Sequence, residues 1–271
     1  MRNNPMSMII KTANMLEYEA AENITVPHGF TTRLGGISDG IFSSLNLACH
    51  RGDSEENVAE NFRRIGNAMG FAPRSVVLTR QTHSDIVRIV TDADCGGLDH
   101  HQYPECDALV TNTPGIALVV FTADCTPILL HDPVTGAVGA AHAGWRGTAA
   151  DIAGKTVRAM MDAFGCDPAN IHAAIGPNIG FCCFETDADV PTALLDTFGT
   201  EAQQWIRPCG NKYYVNLKEI NALALRRAGV QHITISQSCT VCQSHRFWSH
   251  RVTRGQRGSQ CGIIVCKEGK T

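Results

Sequence analysis

The stretch Phe121-Thr122-Ala123-Asp124-Cys125-Thr126-Pro127-Ile128-Leu129-Leu130-His131, then Asp132-Pro133-Val134-Thr135-Gly136, then Ala137-Val138-Gly139-Ala140-Ala141-His142, decides the fold class. Pro133 and Gly136 within one short polar interval mark a turn between two apolar runs. Strands joined that closely are antiparallel, because parallel neighbours need a crossover of a dozen or more residues. Further short β-rich runs lie at 75–79, 86–90, 108–110, 116–121, 171–175, 232–236 and 262–266, beside the two of the hairpin at 127–131 and 137–142. Helical segments interrupt this series, so the sequence reads as a mixed α/β (α+β) fold with mixed sheets and not a doubly wound one. No Gly-x-Gly-x-x-Gly and no phosphate-loop pattern follows any of the strands.

Three helices stand out. The first is expected to begin at Asp53 as N-cap, with Glu56 completing a capping-box-like pair. Val58, Phe62, Ile65 and Met69 then share one face, and Gly70 supplies the stop. The second is expected to start at Thr148, with Asp151 in its first turn, a stripe of Ala153, Val157, Met160 and Phe164, and Gly165 at its end. The third covers 217–228, before Gly229. Residues 1–25 show little periodicity and read as a lead-in, leaving 26–271 as one domain with no linker or repeat inside it.

Composition narrows the function. The 44% hydrophobic and 18% charged residues are those of a globular chain, and 271 residues can bury one large core. A formal net charge of -3 argues against a nucleic-acid partner, which calls for a strong positive field. Residues 1–11 lack a signal-peptide pattern and no apolar run approaches a membrane span, so the expected setting is cytoplasmic, with no membrane partner. There the 12 Cys should be reduced, buried or ligands, rather than paired in disulfides.

The hairpin supplies the first chemistry. A connection of 132–135 pairs His131 with Gly136 and, counting back along both strands, sets Cys125 opposite His142; a turn of slightly different length makes them diagonal neighbours, close in either case. A thiol and an imidazole on one sheet face can be a nucleophile and its base, two ligands of a metal such as zinc, or a buried Cys beside a hydrogen-bonded His. Asp124 lies at the mouth of an apolar strand, where a carboxylate requires a partner. The Gly-rich turn 144–147 leads into the expected helix, with Arg146 beside it, which is the make-up of an anion site. His83, in Gln81-Thr82-His83-Ser84, would be a third protein ligand and leave the fourth tetrahedral position open, as in catalytic zinc sites.

Other cysteines carry weaker signals. Cys239-Thr240-Val241-Cys242 is a lone C-x-x-C, and Cys182-Cys183 is a vicinal pair of which one is expected to pack inward. Cys49, Cys95, Cys106, Cys166, Cys209, Cys261 and Cys266 have no partner evident from spacing. The segment 245–257 carries Arg246, Arg251, Arg254 and Arg257 with Phe247 and Trp248, either a solvated basic loop or a phosphate-recognising one.

At these residues the chain resembles the YfiH family, also described as laccase-domain or multicopper polyphenol oxidase proteins. Thr32-Arg33-Leu34-Gly35-Gly36, Ser44-Leu45-Asn46-Leu47 with Gly52-Asp53, and Gln81-Thr82-His83 carry the resemblance. So do Thr122-Ala123-Asp124-Cys125, His142-Ala143-Gly144-Trp145-Arg146-Gly147, Ile175-Gly176-Pro177 and Cys239-Thr240, in one order across about 29–265. The resemblance implies two packed mixed sheets with helices outside, in α-β-β-α layers. It implies a zinc ion on His83, Cys125 and His142, with copper as the other metal to consider. It also implies phosphorolysis of adenosine, inosine and methylthioadenosine to the free base and a ribose 1-phosphate, with adenosine deaminase as a side activity.

The expected partners are therefore purine nucleosides and phosphate. Cys125, Asp124 and Arg146 are the expected catalytic residues, and Asn46, Arg33 and Gln81 the expected substrate contacts. Copper-dependent polyphenol oxidation and peptidoglycan editing are the competing functions. One departure stands at Trp248-Ser249-His250-Arg251, where the family reads Phe-x-Ser-Tyr-Arg. If that position touches substrate, His250 alters base preference.

Overall fold

The computed structural model describes residues 7–49, 51–99 and 105–267, so residues 1–6 of the lead-in and 268–271 of the expected domain lie outside the described residues. In chain order the strands are β1 (Met8–Ala13), β2 (Leu16–Ala21), β3 (His28–Thr31), β4 (Val76–Val77), β5 (Val87–Ile89), β6 (Ala108–Thr111), β7 (Ala117–Thr122) and β8 (Thr126–His131). They continue as β9 (Val138–Ala143), β10 (His172–Ile175), β11 (Glu185–Thr186), β12 (Ile206–Cys209), β13 (Lys212–Val215), β14 (His232–Ile235) and β15 (Gln260–Val265). The helices are α1 (Glu55–Met69), α2 (Trp145–Ala149), α3 (Ile152–Phe164), α4 (Asp189–Phe198), α5 (Leu217–Arg227) and α6 (His250–Thr253).

Two six-stranded sheets dominate, in the orders β1-β2-β3-β15-β7-β4 and β14-β10-β8-β9-β6-β5. Each is mixed. β4 runs parallel to β7, β5 to β6 and β14 to β10, whereas the other neighbours are antiparallel. A small sheet, β11-β13-β12, lies apart.

The alternation of side chains explains the layering. Along β7, Leu118 and Val120 enter the core between the sheets, while Ala117 and Val119 face the core under α1. Along β8, Leu129 joins the intersheet core, and Ile128 and Leu130 face the core shared with α3 and α5. Strands buried on both faces read as continuous apolar runs, which is why these two were easy to recognise. The layers are therefore α-β-β-α within a single mixed α/β domain.

Several local expectations change. The β8–β9 turn is longer than expected: His131 pairs with Val138, and Pro127 with His142. Asp132 closes the turn, donating its N–H to Ala137 O at 2.9 Å and accepting from Gly136 N at 2.9 Å. An even slip keeps each side chain on its face, so Cys125 becomes a diagonal neighbour of His142. The cap of α1 is Ser54, whose hydroxyl accepts from Asn57 N, and Asp53 is drawn elsewhere. The helix expected from Thr148 is two helices. Asp151, with φ 58°, breaks the chain and caps α3 by accepting from Gly154 N. The lead-in contains β1 and β2, a hairpin on the edge of the first sheet.

Candidate metal centre and cleft

The fold brings three donor side chains together at one end of the sheets. β7 belongs to the first sheet and β8 to the second, so 123–125 is a crossover between layers. It carries Cys125. A second crossover, from β4 to β5, carries His83, and His142 stands near the end of β9. The ligand atoms of His83, Cys125 and His142 all lie within 4.8 Å of one another. Cys125 Sγ is 3.8 Å from His83 Nε2, and the two imidazoles meet edge to face at 5.0 Å. Tetrahedral zinc with one sulfur and two nitrogens needs donor separations of about 3.5 Å, within reach of small side-chain adjustments.

Asp107, absent from the sequence-based candidates, organises this centre. It is fully buried. Its Oδ1 accepts from His83 N at 3.1 Å and from His142 Nδ1 at 2.7 Å. Its Oδ2 accepts from Thr82 N at 3.1 Å and from Ser84 N and Oγ, each at 2.7 Å. One carboxylate thereby fixes the loop that presents His83, at φ 61°, and orients the His142 ring. With Nδ1–H given to Asp107, the ring directs Nε2 toward Cys125, the arrangement typical of metal-ligating histidines.

Electrostatics agrees with the donor set. Burial opposes ionisation of Cys125, but the charge of His142 and hydrogen bonds from His142 and His83 outweigh it, bringing the thiol down to about 6. Burial likewise opposes the charge on His142, yet Cys125 and the Asp107 carboxylate lift the imidazole to about 9. Burial would raise Asp107, but hydrogen bonds from His142 and Ser84 hold it at about 2. A thiolate, two imidazoles and an outer carboxylate suit zinc, and imidazole and thiolate also suit copper. Gly144 makes the convergence possible: a Cβ there would lie 2.7 Å from the His83 ring and 3.3 Å from Cys125 Sγ.

The three donors border a cleft of about 670 Å³, whose walls include Arg51, Arg80, Thr79, Thr122 and Arg257. Thr79 Oγ1, Thr122 Oγ1 and Arg257 Nε are buried without a hydrogen-bond partner among the described residues. Unpaired buried polar atoms are rare, and three lining one cleft point to a polar ligand. Burial and the neighbouring Arg51 bring Arg257 down to about 10.

The remaining sequence candidates fall in different places. Gln81 borders the cleft, but both ends of its amide bind the Phe121 backbone, at 2.8 and 2.7 Å. Asp124, at φ 86°, directs its carboxylate to Thr240 Oγ1 at 2.5 Å, Ser249 Oγ at 3.1 Å and Arg251 N at 2.7 Å. Asn46 is fully buried and bridges Asp53, Ala48 N and Ser259 N. Arg33 lies over Trp248 at 3.9 Å and binds the carbonyls of Ser43 and Ser244. Arg146 is exposed and stacks on Trp145 at 4.2 Å, outside the cleft walls. His250 starts α6 and is exposed. Of the arginine segment, Arg257 alone reaches the cleft wall.

Fold and site together define a two-sheet α-β-β-α domain with a His-Cys-His cluster, able to hold a metal ion, at a cleft lined by arginines. Residues 27–267 match the family described as multi-copper polyphenol oxidoreductase laccase, and the chain belongs to this family, the YfiH family of the sequence resemblance. It is 39% identical over 246 residues to the purine nucleoside phosphorylase YlmD of Geobacillus stearothermophilus, covering 89% of this chain and 90% of that one. Identity is 38% over 265 residues to a purine nucleoside phosphorylase of Deinococcus radiodurans, covering 96% and 98%. The crystal structure of YlmD from Geobacillus stearothermophilus superposes with a TM-score of 0.90 at 36% identity, over 97% of this chain and 100% of that one.

Proposed function

We propose that this chain is a zinc-dependent purine nucleoside phosphorylase acting on adenosine, inosine and methylthioadenosine, with adenosine deamination as a side activity. The observation that carries the reading is one cleft that joins the His83–Cys125–His142 donor set to the unpaired polar atoms of Thr79, Thr122 and Arg257. The names of the bacterial relatives support the same reaction. His83, Cys125 and His142 would hold the zinc ion, which would supply a Lewis acid.

The rest of the reaction falls to the chain. A phosphate oxygen bonds to the anomeric carbon as the glycosidic C–N bond breaks, and the base leaves with the electron pair and takes up a proton. Arg257, with Arg51 and Arg80 on the same walls, holds the phosphate and balances its charge. Arg257 thus takes the anion-positioning part that the sequence alone suggested for Arg146. Thr79 and Thr122 hydroxyls orient the nucleoside. Asp124 is a positioning residue: its three hydrogen bonds fix the crossover that carries Cys125. A cytoplasmic setting keeps the Cys125 thiol reduced.

Incubation of the zinc-loaded protein with adenosine, with and without phosphate, tests the proposal. Adenine and ribose 1-phosphate should form only with phosphate, and slow inosine formation should persist without it. Loss of one charge-assisted hydrogen bond in Arg257→Gln should lower turnover per unit phosphate by roughly 10- to 100-fold, about 1.5–3 kcal/mol. His83→Ala and Cys125→Ala should lose zinc and turnover together. Oxygen consumption with a phenol and no release of base from any nucleoside would assign the copper oxidase function instead.

A further inference from the structure

The geometry points to a second metal centre, a structural zinc ion held by Cys182, Cys183, Cys239 and Cys242, which staples two loops behind the first site. The sulfurs of these residues all lie within 4.8 Å of one another. Cys242 Sγ is 3.6 Å from Cys182 Sγ and 3.5 Å from Cys183 Sγ. Tetrahedral zinc with thiolate bonds near 2.3 Å sets its sulfurs about 3.8 Å apart. A disulfide needs about 2.05 Å, and all four cysteines are free. Four protein ligands leave no open position, the mark of a structural site.

The surroundings are built for bound thiolates. Cys239 begins a tight turn in which Gln243 N donates to Cys239 O at 2.9 Å. Its sulfur accepts from Gly180 N at 3.2 Å. A dication bound by the four sulfurs would displace their protons to solvent.

Two further features hold these loops in place. Lys218 is buried and donates to Ser236 O and Ser238 O at 2.7 Å each, just before Cys239. Gly180 packs so tightly that a Cβ would stand 3.0 Å from Cys239 Cβ and 3.2 Å from Cys182 Sγ. The centre also touches function through Thr240, between two of the ligands, which donates to Asp124 at 2.5 Å, next to Cys125. Arg251 N donates to the same carboxylate, and Arg251 Nη1 reaches Cys183 O at 3.3 Å.

The sequence hid this centre because each half was incomplete. A lone C-x-x-C and a vicinal Cys pair become one tetrathiolate only when Thr240 N binds Asn178 O, at 2.9 Å, and brings their loops together.

The inference is independent of the nucleoside reading and is tested where the first site is removed. His83→Ala/Cys125→Ala protein, produced with zinc supplied, should retain one zinc per chain, and Cys239→Ser/Cys242→Ser in the native chain should lower zinc from two per chain to one. Cobalt loading of the His83→Ala/Cys125→Ala protein should give the strong sulfur-to-cobalt charge transfer and intense visible bands of a tetrathiolate. Should the Cys239→Ser/Cys242→Ser variant fail to fold, the metal content and cobalt spectrum of the His83→Ala/Cys125→Ala protein decide alone. Absence of zinc from that protein would overturn the inference. So would iron or copper in its place, or a disulfide among the four cysteines of freshly purified chain.

Discussion

At the scale of single residues, the centre depends on a side chain that is not itself a ligand. Five donors converge on the two oxygens of Asp107. An amide in its place turns one acceptor into a donor and sets N–H against N–H. Asp107→Asn should therefore loosen the 82–84 loop, release the His142 ring and weaken binding of the proposed zinc ion by roughly 10- to 100-fold. Competition with a chelator measures this, and unchanged affinity would remove Asp107 from the centre. The signal for Asp107 was present in the sequence, since like Asp124 it is a carboxylate at the mouth of an apolar strand. It stands 24 residues from His83 and 35 from His142; the β6–β9 pairing brings it to His142, and the β5–β6 pairing with the Arg80–Glu105 bridge brings it to the His83 loop. The three donors were legible because two of them flank a hairpin.

At the scale of elements, turn and cap geometry separate what was legible from what was not. The apolar runs of β7, β8 and β9 and the helical stripe of α1 were readable because burial imposes a period. The hairpin register slipped because Asp132 both donates to and accepts from its own turn, a backbone pattern that residue types do not specify. β1 escaped because it is an exposed edge strand with no buried face to enforce alternation. α4 carries Val190, Leu194 and Phe198 at four-residue spacing, but Pro191 in the first turn disguises it.

The start of α1 gives a direct comparison of two neighbouring side chains. Ser54 caps the helix by one hydrogen bond, so Ser54→Ala should cost about 1 kcal/mol. Asp53 accepts from Ser38 Oγ, Asn46 Nδ2, Ser54 N and Asn57 Nδ2 at 2.6, 2.9, 2.9 and 3.4 Å. Removing that carboxylate strands buried donors around Asn46, so Asp53→Ala should cost more, about 2–3 kcal/mol. Urea denaturation ranks the two. Equal losses would show that Asp53 acts only as part of the cap.

At the scale of the whole molecule, the same double burial that made the central strands readable also traps polar groups between them. His131, at the end of β8, is 3% exposed, and its Nδ1 has no hydrogen-bond partner among the described residues. It pairs in register with His172, whose ring lies 4.7 Å from that of His232. Burial, with the nearby His172 and His28 outweighing Asp132, lowers His131 from 6.5 to about 4. His28 is lowered as well, chiefly by burial. Above pH 6.5 the His131 ring is neutral in the folded and unfolded chains alike, and folding is indifferent to it. Below that, the unfolded chain takes up a proton that the folded chain refuses until about pH 4, so stability falls across this window. The loss from His131 should reach about 3 kcal/mol, and His28 adds to it in the same direction. His131→Gln cannot take up the proton, so its stability should decline less between about pH 7 and about pH 4.5. Urea midpoints of the two proteins at both pH values measure the difference, and parallel declines would place the acid sensitivity elsewhere in the sheets.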